Sequence, residues 1–467
     1  MMKKIFFMVL FQSIFFGFFY PLNAQNIVFN NPDDAVNFAI QNSQIHVLQR
    51  QRVLQNMRGA RFGIQDFLPT FNFSLSETDT IILHAGDTRT RSFNASVSQE
   101  LFDGGRRRFA YQVNRLSSMY AYQDFESSLA DFSSQIIYMY YQYLLQRQVV
   151  LVREDIVSNA RSQLAIIERE VELGITLETD YLEYLISFIQ IENERNQSKR
   201  DLDRLRRRFK IALNLSDEVN LTISDNLSDE FTKFFYEPYI NFIWAIIRNV
   251  STEINKQNLA LEYARKQLVF SRRWFVPRLS AQAGISFSGD AFPLTEPRYS
   301  FSLTIDFPNA NLFPLTLSNA YGFDRKRLNS LNNTASVRLA PQPAHRVQRR
   351  LADIALLEAG NQRIQTEREL RESVVDLIIS HDNNLRLAYA TKRTIEIIER
   401  RLEFSSLQVE QGVKKRIDYL NERTALTEAK ISFFEHQARA SVLERSLEIL
   451  TAFPFGGLKN ACKQHRL

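Results

Sequence analysis

The sequence predicts a mostly α-helical chain of long coiled-coil hairpins that also carries four β-strands and is built as an internal duplication. Three observations predict it. From Arg106 to Asn214 there is no proline and a single glycine, Gly174. Four segments alternate apolar with small polar residues at a period of two. The stretch VELGITLETDYL, Val171 to Leu182, returns as VEQGVKKRIDYL, Val409 to Leu420, with six of twelve positions identical.

The first 24 residues read as a signal peptide: Lys3 and Lys4 precede an apolar run from Ile5 to Tyr20, and Ala24 offers a small residue for cleavage. A membrane anchor is the alternative, although the run is short for a spanning helix. Cys462, the only cysteine, allows no internal disulfide. The formal charge of +6 suggests an anionic surface or nucleic acid. Export and the spread of basic residues along helices argue against nucleic acid.

The first repeat is expected over 25–232. Asn31-Pro32-Asp33-Asp34 opens a helix: asparagine caps, proline suits the first turn, and the aspartates favour the positive end of the helix dipole. Phe67-Leu68-Pro69 ends it. Strands follow at about 69–76 and 92–102, with Phe71, Phe73 and Leu75 on one face and Asn72, Ser74 and Ser76 on the other. Such segments fit either a half-buried sheet or a membrane barrel with a wet lumen. Gly104 and Gly105 make a flexible joint where strand becomes helix. The helix from Arg106 to Val171 would span on the order of 100 Å and needs a partner along its length. Its hairpin turns at the tip, 171–182, around Gly174, and the returning helix carries Leu202, Leu205 and Phe209 at heptad-like spacing.

A linker from about Leu215 to Glu237 leads to the second repeat, 233–453. Phe275-Val276-Pro277 matches Phe67-Leu68-Pro69 at an offset of 208, and strands are expected at about 278–288 and 298–307. The segment 308–344 has no counterpart in the first half and is expected as a plug, a collar or a disordered rope. Helix resumes near His345, interrupted at Gly360 and at Gly412 in the second tip, 409–420. The tips are offset by 238, and an insertion of this size accounts for the difference of 30. His436 falls in the heptad seam of the last helix, where a packed histidine is expected. A tail, 454–467, closes the chain.

Four strands cannot close a barrel, and free strand edges are forbidden in lipid, so membrane-spanning strands would require several copies to share one wall. The alternative is a soluble four-stranded sheet packed on helices. The histidines show no metal or triad spacing, and no phosphate-binding glycine loop appears; no catalytic residue, cofactor or metal site is expected, and the chain does not read as an enzyme. Arg106-Arg107-Arg108 reads as a solvated helix face or as a contact to lipid phosphate.

At this point the chain resembles the TolC-like outer-membrane efflux family over nearly all of its mature length. Ala35, Ala39 and Asn42, Leu68-Pro69, Gln99-Glu100-Leu101-Phe102-Asp103-Gly104-Gly105 and the Gly-to-Asp-Tyr-Leu tips carry the resemblance. It implies a homotrimer in the cell outer membrane with a long periplasmic portion. Twelve strands would form one barrel in outer-membrane lipid, and the helices an α-helical barrel that meets a periplasmic adaptor (membrane fusion) protein and an inner-membrane transporter. It implies a passive exit duct for efflux or type I secretion; a coiled-coil structural or adhesive envelope protein without channel activity is the alternative.

The resemblance also implies a gate. An aspartate of the first tip and a basic residue of the second link neighbouring hairpins in that family, and Asp180 and Lys414 fall on those positions, with Arg416 close by. The family's tyrosine falls on Val409. Of two acidic positions that form a constricting ring in some members, Asp418 matches the first, Asn421 replaces the second, and Glu422 stands beside it. Solvated turn charge is the alternative for these residues. Lys414-Lys415-Arg416 could also bias the entrance toward anions.

Overall fold

The computed structural model describes residues 27–62, 67–80, 88–227, 234–272, 276–294, 296–307, 315–324, 327–337 and 344–465. The expected signal peptide lies outside them. Helices dominate, and the duplication is visible in their bounds. The pair α1 (Pro32–Asn42) and α2 (Gln44–Phe62) returns as α5 (Ile240–Val250) and α6 (Thr252–Ser271) at the offset of 208. The long hairpin of α3 (Arg106–Glu172) and α4 (Glu178–Ala212) returns as α7 (Ala344–Glu410) and α8 (Arg416–Thr451) at the offset of 238. A short α9 (Gly457–His465) follows. Gly360, expected to interrupt the helix, is taken into α7 without a break, at a loss of only about 1 kcal/mol relative to alanine.

Spatially the chain divides into two units, and each draws on both repeats. The first comprises residues up to Gln44, Asp131–Ile240 and Asp376–Leu467; the second comprises Ile45–Ala130 and Asn241–Val375.

The first unit is held by an apolar core of Ile136, Tyr140, Leu144, Phe209, Leu213 and Phe433, among others. The seam expected in α8 is buried at Leu426, Phe433, Ala440 and Leu447, and His436 is half-buried with Nδ1 3.3 Å from Asn384 Oδ1. The linker is anchored more firmly than its composition implies. Within it β4 (Leu221–Ile223) pairs in parallel with β1 (Ile27–Phe29). Asp382, buried beside His381, accepts the backbone N–H groups of Tyr236 and Glu237 at 3.0 and 2.8 Å. Three-residue strands carry too little pattern to be seen in a sequence.

The second unit contains a six-stranded antiparallel sheet in the order β2-β3-β5-β6-β7-β8. The four expected strands are β2 (Thr70–Thr80), β3 (Thr88–Phe102), β5 (Arg278–Gly289) and β6 (Glu296–Phe307). The segment 308–344 is neither plug nor collar nor rope where it is described: it holds two further strands, β7 (Leu315–Asp324) and β8 (Arg327–Val337). They continue the pattern of the other four, with one apolar and one polar face, interrupted on the apolar side by Asn319 and Asn333. Phe73, Ala95, Ile285 and Tyr299 lie in one row across it; Ser74, Asn94, Ser286 and Arg298 lie in the next. The apolar face is uncovered, with Phe71, Phe73, Leu75, Tyr299 and Phe301 all exposed. A contiguous apolar surface of this kind marks contact with lipid or protein. Among the described residues no helix is long and apolar enough to cross a membrane.

Sheet passes to helix at Asp103-Gly104-Gly105. Gly104 and Gly105 have φ of +70° and +85°, so the joint is a defined left-handed turn rather than a loose one. Asp103 accepts the N–H groups of Gly105 and Arg107 at 2.9 and 2.6 Å and so caps α3. Arg107 also pairs with Glu100 at 2.6 Å, which takes one of the three arginines out of the free basic face.

Candidate functional site at the hairpin tips

The two tips lie in the first unit, and their turns are the same structure twice. Gly174 and Gly412 have φ of +68° and +67°. At the first tip the N–H of Gly174 bonds Val171 O and that of Ile175 bonds Glu170 O, both at 2.9 Å. At the second, Gly412 bonds Val409 O at 3.1 Å and Val413 bonds Gln408 O at 2.9 Å. This is the Schellman ending of a helix, in which the left-handed residue satisfies carbonyls that the last turn leaves open. No atom crowds a Cβ at either glycine, so the conformation alone requires glycine there. Asp180 and Asp418 then occupy equivalent places in the first turns of α4 and α8, where the helix dipole favours negative charge.

Beyond the turns the tips differ in charge, and the difference brings them together. Arg416 reaches across to the first hairpin, donating from Nη2 and Nε to the two carboxylate oxygens of Glu170 at 2.6 and 3.2 Å, and from Nη1 to Gln163 Oε1 at 2.7 Å. The forked contact is the geometry in which a guanidinium binds a carboxylate best. Arg416 holds the Glu170 carboxyl below its ordinary range, against the opposing effect of burial. Lys415 Nζ lies 3.1 Å from Asp180 Oδ1, and this contact raises the lysine's pKa. Farther along, Arg423 pairs with Asp155 at 3.0 Å.

Glu422 is treated differently. It is buried, which works to raise its pKa, yet Lys414 at 2.8 Å and Arg401 at 2.6 Å outweigh burial and hold the carboxyl low. Of the residues singled out in the sequence, Asp180 therefore meets Lys415 rather than Lys414, and Lys414 turns back to Glu422 within its own hairpin. Asp418 is exposed beside Lys415, whose backbone carbonyl it bonds through its N–H at 3.2 Å. Val409, where the resemblance would place a tyrosine, borders a cleft of about 410 Å³ shared with Glu170, Asp180, Lys415 and Arg416. Since Lys414, Lys415 and Arg416 each have a carboxylate partner, they do not form the set of free cations on which an anion bias would rest.

Sequence reasoning missed Glu170, Gln163 and Arg401. Glu170 lies 246 positions from Arg416. The one available signal was the acidic character of the first tip set against the basic character of the second.

Every ion pair at the site belongs to a surface that is only partly dry, so each is weak and reversible. The arrangement can fasten one hairpin to another and let go. It offers no nucleophile or acid–base pair held against a substrate cavity, and the described residues hold no cluster suited to a metal ion.

The chain matches the sequence profile of the outer membrane efflux protein family over residues 43–213. No curated protein matches it. Among solved structures it is similar to CusC, studied for its folding and transmembrane channel formation, at 13% identity and a TM-score of 0.72, covering 91% of this chain and 92% of that one. It is similar to the outer membrane protein VceC of Vibrio cholerae, also at 13% identity, with a TM-score of 0.71 and coverage of 91% and 96%. The CmeC outer membrane channel of Campylobacter jejuni gives 13% identity, a TM-score of 0.72 and coverage of 90% and 85%. At these identities the likeness is one of fold.

Proposed function

We propose that the chain forms the outer-membrane exit duct of a tripartite efflux or type I secretion system, a reading supported by the match of residues 43–213 to the outer membrane efflux protein profile and by the likeness of the fold to outer-membrane channels. Three copies share one barrel in the outer membrane. The duct conducts cargo passively, and an inner-membrane transporter, joined through a periplasmic adaptor, supplies the energy.

The observation that carries this reading is the sheet. It has two open edges and an uncovered apolar face. In lipid, a strand edge with unpaired N–H and C=O groups costs several kcal/mol per group, so a sheet of this kind is stable only when copies close it into a ring. The polar face, lined with Ser, Thr and Asn, then faces a water-filled bore. The paired hairpin tips supply a reversible fastening of the kind a gated duct needs. Reconstitution of the purified protein in planar lipid bilayers tests the proposal: discrete conductance steps are expected. Protein that inserts without steps, or does not insert, contradicts it.

A further inference from the structure

We propose that the duct wall is built from six strands of each copy, closed by β8 of one copy pairing antiparallel with β2 of the next, in place of the four strands per copy that the resemblance implies. The inference rests on the reading above that copies share one wall, and it identifies the surfaces by which a second copy of this chain is recognised.

The hairpin of β7 and β8 is continuous with the wall. Strand β7 pairs with β6 from Phe307↔Leu315 to Arg298↔Asp324, and β8 pairs with β7 from Leu315↔Val337 upward. Both keep the two faces of the sheet except in one row, where Asn319 and Asn333 stand beside Leu303 on the apolar side. Phe301, Tyr321 and Leu331 form one row, and Ile305, Leu317 and Ala335 another, on the apolar side. Thr304, Ser318 and Thr334 form a row on the polar side. A hairpin destined for water beside the barrel would have no reason to extend the lipid-facing pattern by two strands. Because β6 is already paired with β5 on one side and β7 on the other, it has no edge left to offer a neighbouring copy.

The open edges of this sheet are β2 and β8. Each is eleven residues long and exposed wherever it is described. Every neighbouring pair is antiparallel, so the first and sixth strands run in opposite directions and meet antiparallel when a ring closes. Neither strand carries lysine or proline, and the charged residues they do carry, Glu77 and Asp79 in β2 and Arg327 in β8, lie toward one end of each strand, so most of each edge lacks the protection found in soluble proteins. Their faces also fix the parity of the join. Phe71, Phe73 and Leu75 share the apolar face with Leu331, Ala335 and Val337, so odd positions must oppose odd positions. A slip of one residue would turn three large apolar side chains of β2 into the bore. Three copies then supply eighteen strands rather than twelve, and the ring is about half again as wide, since diameter grows roughly in proportion to strand number.

Disulfide trapping in isolated outer membranes tests the join. In the full-length chain carrying Cys462→Ser, Ser74→Cys is combined in turn with Asn332→Cys or Thr334→Cys in β8, with Asn333→Cys on its opposite face, and with Ser302→Cys or Thr304→Cys in β6. After oxidation, cross-linked dimers and trimers are expected with position 332 or 334. Positions 333, 302 and 304 are expected to give none. Cross-links to 302 or 304 would mean a four-strand wall with the hairpin outside it and would overturn the inference. So would a cross-link at 333, a cross-link within one chain, or no cross-link at all in a complex that retains the mass of three copies. A complex with the mass of one copy would instead overturn the duct itself.

Discussion

Arg416→Ala raises the resting conductance of the bilayer-reconstituted duct and admits large antibiotics such as vancomycin into cells that produce it. The substitution removes the forked contact to Glu170 and the bond to Gln163 together, and leaves a partly buried carboxylate without its cation. Discounted for the partial exposure of both groups, such a contact contributes on the order of 1 to 2 kcal/mol. A loss of that size changes a closed-to-open ratio by about five- to thirty-fold. Asp180→Ala and Lys414→Ala act in the same direction but less, because Lys415 is well exposed and Lys414 fastens only its own hairpin.

The same contacts predict the effect of acid. Glu170 and Glu422 have pKa values held below the ordinary 4.5. Their stabilising contribution is therefore complete above that value and is lost as pH falls through their lowered values. Conductance should rise on acidification below about pH 4.5, and Glu170→Gln should reproduce part of the rise at neutral pH. Unchanged conductance in both Arg416→Ala and Glu170→Gln would remove this pair from the gate.

Phe301→Arg abolishes stable insertion of the chain into the outer membrane, whereas Ser302→Arg, one residue along the same strand, is tolerated. Phe301 lies mid-strand on the uncovered apolar face, between Ala283 and Tyr321. Arginine at the midplane of a lipid-facing strand costs about 2 to 4 kcal/mol, and a ring of three copies bears that cost three times. Ser302 faces the other side, where charge remains in water. Fractionation of cells producing each variant checks the result. Equal amounts of both in the outer membrane would contradict the assignment of the two faces.

How far these features were legible in the sequence depended on range. The tips were legible because glycine and the Asp-Tyr-Leu run are local signals, repeated, and the Schellman turn needs only the residues within it. Strands β2, β3, β5 and β6 were legible because Phe71, Phe73 and Leu75, or Tyr299, Phe301 and Leu303, alternate without error. Strand β8 was hidden. Its apolar face carries Asn333, and an irregularity near Asn329 breaks the alternation between Leu328 and Leu331. Without a visible partner, β7 read as one more stretch of an Asn-rich insertion. At the hairpin tips the charged residues are legible but not their partners. Arg416 and Lys415 meet carboxylates 246 and 235 positions away, and only packing of the two hairpins brings them together.

The most direct test of the central claim is the native mass of the full-length protein extracted in mild detergent from the outer-membrane fraction. A complex of three copies is predicted, recovered from that fraction and not from the soluble periplasm. A soluble single copy, its apolar sheet covered by some other means, would contradict the account.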